Sequence, residues 1–394
     1  MKRSIPMASA DLDERDFAAV LDVLRGGRLA LGPKTVELEQ AFAARVGVPH
    51  AVAVNSGTAA LHLIVKALGL GPGDEVLVPS FTFAASANAV IYEGATPVFV
   101  DIEADTYNID PADAARKISD RTRAIMVVDV FGHPAEWDDL SALAEAHDLE
   151  LIDDSCEALG ATYRNRPIGS LGSAAAFAFY PNKQITTGEG GMILTAREDI
   201  ARKARSLRNQ GRGEMGTWLE HEELGYNYRL DEMSAALGVS QLARLDEFLA
   251  RRLAVAQAYT ERLAAFDWVK TQVIREHVGM SWFVYVVTLG EGVDRVEVSR
   301  RLDERGVPSR GYFAPLHLQP YIRRHVPELP RLPRTEDIAR RTLALPFHNR
   351  LTDDEIDHVV ESLRVAVEDR GLPSEGPSSY ADSPARSRDG RTST

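Results

Sequence analysis

Short apolar runs recur along the first two-thirds of the chain, each giving way to a stretch with helical spacing, and no other feature narrows the fold as far. HAVAVNSG reads as a buried strand entering a turn, and TAALHLIVKALGLG as a helix ending at a glycine. DEVLVPS and TPVFVDI are strand-like, with the helix-like FAASANAVIYEG between them. PADAARKIS opens a helix with proline, and AIMVVDVFG, DDLSALAEAHDL and LELIDDS continue the alternation. Strands this short and apolar, separated by helices, predict an α/β fold with a mostly parallel sheet covered on both faces. Ligands of such sheets collect beyond the carboxyl ends of the strands, so the residues just after each apolar run are where chemistry is expected.

From about Leu242 the pattern changes. RLDEFLARRLAVAQAYTERLAAF reads as one long helix, WFVYVVTL as a strand and VEVSRRLDERG as a helix ending at glycine. A last helix follows LPFHNRLTDDEI, where Thr352 and Glu355 fit a capping box. The predicted organisation is a large α/β domain over residues 1–245, a small α+β domain over 246–370 and a disordered Ser-, Pro-, Gly- and Arg-rich tail over 371–394. The N-terminal segment has the option of packing on the small domain.

Composition excludes several function classes. With 394 residues, 44% of them hydrophobic, the chain can bury a large core. A net charge of -13 without a basic stripe argues against nucleic acid or an anionic membrane as partner. No stretch approaches the roughly 18 apolar residues of a membrane span, and MKRSIPMASADLDERD lacks the apolar centre of a signal peptide. The expected location is cytoplasmic. A single cysteine, Cys156, excludes an internal disulfide and a cysteine-based metal cluster, and no metal is expected.

Three segments carry candidate chemistry. NSGTAAL places Ser56, Gly57 and Thr58 where a strand becomes a helix. Small residues and a helix dipole there suit a phosphate, although an ordinary N-cap explains the same letters. LELIDDS ends an apolar run with Asp153 and Asp154, which must face opposite ways on a strand; one would meet a ligand, unless both are solvated turn residues. FYPNKQITTGEGGMILT sets Lys183 between two strand-like runs. Either that lysine points to water, or burial lowers its pKa and frees a neutral amine able to bond an aldehyde.

Together these are the requirements of pyridoxal phosphate: an anion site, an amine for the aldehyde and an acid partner for the pyridine nitrogen. PSFTFAAS supplies two rings, Phe81 and Phe83, either able to cover a cofactor and either able to be plain core.

The stretches NSGTAALHL, VPSFTFAASANAV, GATPVFVDI, LIDDSCEALGA, FYPNKQITTGEGGMI, LGYNYRLDEMSAALG and LPFHNRLTDDEI, taken in order, resemble the sugar aminotransferases of the DegT/DnrJ/StrS type. The likeness runs from about Asp11 to Asp369. It implies the type I pyridoxal-phosphate fold, with a seven-stranded sheet between helices and a smaller C-terminal domain. It implies that Lys183 bonds the cofactor and then shuttles protons, and that Asp154 rather than Asp153 pairs with the ring nitrogen. By the same resemblance Phe83 stacks on the ring, while Gly57, Thr58 and Ala59 cradle the phosphate. Asn227 reaches the phosphate of a neighbouring subunit, with Arg229 beside it, so a homodimer with shared active sites is implied. His317 matches a substrate-side histidine, or else is a surface-loop residue.

Two positions depart from the family pattern. Ala178 replaces a serine that often bonds the phosphate, and Glu157 stands where many relatives have His or Gln near the ring. Lys183 itself argues against the related dehydratases, which carry histidine there. The expected activity is transfer of an amino group, with L-glutamate as donor, to a nucleotide-linked keto-sugar. A cyclitol or other non-nucleotide ring ketone is the alternative acceptor, and a non-catalytic regulatory protein of this fold is the alternative class.

Overall fold

The computed structural model describes residues 5–213, 220–326 and 328–368. The segment expected to be a disordered tail lies outside them. Thirteen strands are found among the described residues: β1 (His50–Val54), β2 (Glu75–Pro79), β3 (Thr96–Val100), β4 (Thr122–Val128), β5 (Glu150–Asp154), β6 (Thr162–Tyr163), β7 (Arg166–Pro167), β8 (Ala174–Ala178), β9 (Gly191–Thr195), β10 (Val269–Thr271), β11 (Val278–Gly279), β12 (Tyr285–Leu289) and β13 (Thr342–Leu345). Seven form one sheet in the order β1-β9-β8-β5-β4-β2-β3. Strands β8, β5, β4, β2 and β3 pair in parallel, and β9 runs antiparallel between β1 and β8. The second apolar run after Lys183 is therefore a hairpin partner of the first.

The helices are α1 (Glu14–Gly26), α2 (Pro33–Val46), α3 (Gly57–Ala67), α4 (Ala84–Tyr92), α5 (Pro111–Lys117), α6 (Trp137–His147), α7 (Glu198–Arg208), α8 (Glu232–Leu242), α9 (Leu245–Leu263), α10 (Arg295–Glu304), α11 (Pro333–Arg341) and α12 (Asp353–Glu368). Alternate strand residues feed two separate cores. Val52, Val54, Val78, Met126, Val128 and Ile152 face α3, α4 and α7. Ala51, Ala53, Leu77, Ile125, Val127 and Phe177 face α2, α6 and α8. Both faces being covered explains why the strands read as unbroken apolar runs. Among the described residues no helix is long and apolar enough to cross a membrane.

A three-stranded sheet, β10-β12-β13, builds a further core with α9, α10 and α12. Ile5 belongs to it, with its N–H donating to the Gly306 carbonyl at 3.2 Å. Helix α9 spans two cores: Leu245 and Phe248 lie in the large one, Tyr259 and Leu263 in the small one. The capping box before α12 forms, with the Glu355 carboxylate accepting from the Thr352 N–H at 2.9 Å.

Where β4 and β5 end, a pair of acids is fully buried. Asp129 accepts from the Ala135 N–H at 2.8 Å and the Trp137 indole at 3.2 Å, and Asp153 from the Gly169 N–H at 3.2 Å. The Ser155 hydroxyl bonds both carboxyls. One hydroxyl has one proton to give, so this arrangement is satisfied when one carboxyl keeps its own. Burial pushes both acids up, Asp129 to about 7, and the charge of Asp129 further raises Asp153. The folded state thus holds a proton that the unfolded chain releases near pH 4, and stability falls as pH rises from about 4 towards 7. Asp129→Asn mimics the protonated acid and should flatten that fall, by up to about 1.4 kcal/mol per pH unit, in thermal unfolding followed across this range.

Candidate active site

One cavity of about 520 Å³ opens at the carboxyl edge of the large sheet. Ser56, Gly57 and Thr58 reach it after β1, Thr82 and Phe83 after β2, and Val128 from the end of β4. Asp154, Cys156 and Glu157 come from the end of β5, and Ala178, Tyr180, Asn182 and Lys183 from the end of β8 and the loop after it. Strands β2, β4, β5 and β8 pair in parallel and β1 runs the same way across the antiparallel β9, so five strand ends share one edge and residues far apart in the chain meet here.

Asp154 pairs in register with Val128 on one side and Ala176 on the other. Its neighbour Asp153 faces the opposite side of the sheet, so only one of the two aspartates meets the cavity. Both are buried, and neither is a solvated turn residue. The Asp154 carboxylate is already oriented: Oδ2 accepts from the Ser86 hydroxyl at 2.6 Å and Oδ1 from the Cys156 N–H at 3.3 Å. Ser86 comes from α4 and bonds Thr82 in turn at 3.1 Å. A serine inside the apolar helix pattern of FAASANAV was the sequence signal for this role.

Lys183 sits in the hairpin loop between β8 and β9, its N–H donating to the Tyr180 carbonyl at 2.9 Å. Its side chain is only 12% exposed, so it does not point to water. The amine lies 3.7 Å from Glu157 Oε1 and 3.8 Å from the centroid of the Phe283 ring. Glu157 is held by the Phe131 N–H, which donates to Oε2 at 2.9 Å. Burial raises the Glu157 pKa, and the facing ammonium of Lys183 opposes that shift.

Gly57 and Thr58 occupy the first two positions of α3, where backbone N–H groups have no intrahelical acceptor. Ser56 caps this helix, its Oγ accepting from the Ala59 N–H at 3.0 Å. The capping reading of NSGTAAL is therefore met, and the Ala59 N–H is already committed to that cap, which leaves the N–H groups of Gly57 and Thr58 for an anion. Gly57 must be glycine for closeness: a Cβ there would lie 2.7 Å from Ala178 Cβ and 2.8 Å from Cys156 Sγ. Ala178, the departure noted in the sequence, thus packs directly beneath the cradle. The two phenylalanines divide: Phe81 is fully buried core, whereas Phe83 is 63% exposed at the cavity mouth.

Four expected residues do not line this cavity: Ala59, whose N–H goes to the cap, and Asn227, Arg229 and His317. Asn227 is exposed, with its carbonyl accepting from the Asn55 side chain at 3.4 Å. The Arg229 guanidinium donates to the Asn209 side chain at 2.9 Å. His317 is buried, bonding Ser80 at 2.7 Å and standing 3.5 Å from Glu336, so it is not a surface-loop histidine. Conversely, Phe283, Tyr312 and Phe313 line the cavity from the C-terminal part of the chain and read in sequence only as core letters.

The donor set fits pyridoxal phosphate. An anion cradle, an anchored carboxylate, an amine and an open aromatic face share one space of suitable size. Gly57→Ala tests the cradle. It should cost about 1–3 kcal/mol of stability and weaken the extra thermal stabilisation given by inorganic phosphate.

A sequence model of the DegT/DnrJ/EryC1/StrS aminotransferase family matches residues 10–364. The chain is 42% identical over 368 residues to the GDP-perosamine synthase of Caulobacter vibrioides, covering 91% of this chain and 97% of that protein. It is 40% identical to the dTDP-3-amino-3,4,6-trideoxy-alpha-D-glucose transaminase of Streptomyces venezuelae, covering 91% and 93%. The PLP form of Spr1654 from Streptococcus pneumoniae superposes with a TM-score of 0.88 at 30% identity, covering 93% of this chain and 99% of that one.

Proposed function

The chain belongs to the DegT/DnrJ/EryC1/StrS aminotransferase family, and we propose that it is a pyridoxal-phosphate enzyme that aminates a nucleotide-linked keto-sugar, with L-glutamate as donor. One observation carries the reading: Lys183, Asp154 and the N-terminus of α3 line the same cavity. The sugar acceptor is supported by the two relatives, whose names specify a GDP sugar and a dTDP sugar.

When bound, the cofactor supplies an aldehyde for the donor's amine and a ring that takes up the electron pair left as the Cα–H bond breaks. The N–H groups of Gly57 and Thr58 and the Thr58 hydroxyl bind its phosphate. Asp154, anchored by Ser86 and Cys156, keeps a proton on the ring nitrogen. Phe83 covers one ring face. The Lys183 amine moves the proton at the donor's Cα, as base and then as acid. The same lysine returns a proton when the keto-sugar takes up the amino group. Glu157 faces that amine across 3.7 Å and orients it. The enzyme works as a cytoplasmic homodimer, in which the outward-facing Asn227 and its neighbour Arg229 serve the partner's site.

The first test is an absorbance spectrum of the protein with pyridoxal phosphate, before and after L-glutamate. A visible band should appear and then disappear on adding the donor. Lys183→Ala should lack the band, keep its fold by circular dichroism and lose turnover by about 10⁴-fold or more, beyond the 10²–10⁴ usual for a general acid–base group, because the covalent link is lost as well. Substantial turnover by that variant would refute the assignment.

A further inference from the structure

The geometry points to Arg252 as the positioning residue for Lys183: its guanidinium binds the backbone of the lysine loop and the segment beneath the lysine's amine at once. This rests on reading Lys183 as the reactive amine. Arg252 Nη2 donates to the Lys183 carbonyl at 2.9 Å and the Asn182 carbonyl at 3.4 Å. Nη1 donates to the carbonyls of Trp282 and Phe283, each at 3.1 Å. The Phe283 ring is the one 3.8 Å from the Lys183 amine. One cation thus fixes both the root of the lysine and the aromatic face at its tip.

Several features set this arginine apart from an ordinary core residue. It is 3% exposed, and among the described residues no carboxylate lies within 4 Å of it. A buried cation without a counter-ion is costly, so its neighbours must be strong acceptors, and four carbonyls fill that role. Burial lowers its pKa to about 10, which leaves it charged at neutral pH. Trp282, one of the residues whose carbonyl it holds, has a left-handed backbone with φ 52°, a conformation that a bulky side chain adopts only when its surroundings enforce it. The carbonyls of Asn182 and Lys183 belong to a loop outside regular strand pairing.

Its place on α9 adds a second consequence. Arg252 lies between Phe248, in the large core, and Val255, in the small one. Displacement of the small core relative to the sheet would therefore be felt at Lys183 through this side chain. A lysine there could not substitute, because its compact ammonium cannot span both carbonyl pairs as a planar fork does.

The test uses Arg252→Lys and Arg252→Met in the full chain. Cofactor-free protein is labelled with trace acetic anhydride, and acylation of Lys183 is read by peptide mass spectrometry against exposed Lys270. We expect the Lys183 to Lys270 ratio to rise several-fold in both variants as the amine leaves its buried position. Pyridoxal phosphate should bind roughly tenfold or more weakly, within the losses that small misplacements of reacting groups produce. Circular dichroism should show a retained fold. A wild-type labelling ratio in a folded variant overturns the inference, and unfolding of both variants reduces Arg252 to a structural role and overturns it as well. If wild-type protein gives no band with pyridoxal phosphate, the functional reading fails, while the labelling comparison still decides on Arg252.

Discussion

The parallel pairing of β5 between β4 and β8 is the constraint on which the site depends. It sets Asp154 level with Val128 and Ala176, and it brings the ends of β4, β5 and β8 to one edge. Side chains alternate across a strand, so the same register that turns Asp154 into the cavity drives Asp153 into the opposite core. There Asp153 is accommodated through Ser155, the Gly169 N–H and a proton retained by its pair with Asp129. The functional acid and the buried acid pair are two consequences of one pairing.

The second organising effect is electrostatic. An acidic chain packs two cations, Lys183 and Arg252, at the same loop, one from the loop and one from α9. Lys183 meets a carboxylate and an aromatic face, whereas Arg252 meets four backbone carbonyls and the Phe347 ring. A residue that holds backbone in place suits a charge that does not change. Glu157, fixed by the Phe131 backbone, is the carboxylate that faces the amine.

Much of the site was legible because its residues sit where a repeating pattern breaks. Lys183 interrupts two apolar runs, Asp154 closes a third, and Gly57 and Thr58 follow a fourth. What stayed hidden has a common cause: the deciding contact is made by a residue distant in sequence. Phe81 and Phe83 are indistinguishable as letters, and packing sends one into the core and the other to the cavity mouth. Arg251 and Arg252 are adjacent arginines in an evenly charged helix. One is 45% exposed against Asp11 and Glu247, and the other is buried beneath the active-site loop. Helices α1 and α2 were not read at all, since they are half-exposed and mix charged with apolar residues, so neither carries the apolar run that marks the buried elements behind them.

The sequence by itself determined the α/β class, the strand–helix alternation from β1 to β5 and the residue types that line the cavity, because strand length, helical period and strand-end chemistry are local properties. Tertiary structure alone decided which aspartate faces the cavity wall of Ser86, that Ala59 spends its N–H on a helix cap, and that a buried arginine holds the lysine's backbone. Those outcomes depend on register and on contacts between distant segments, and no local pattern encodes either.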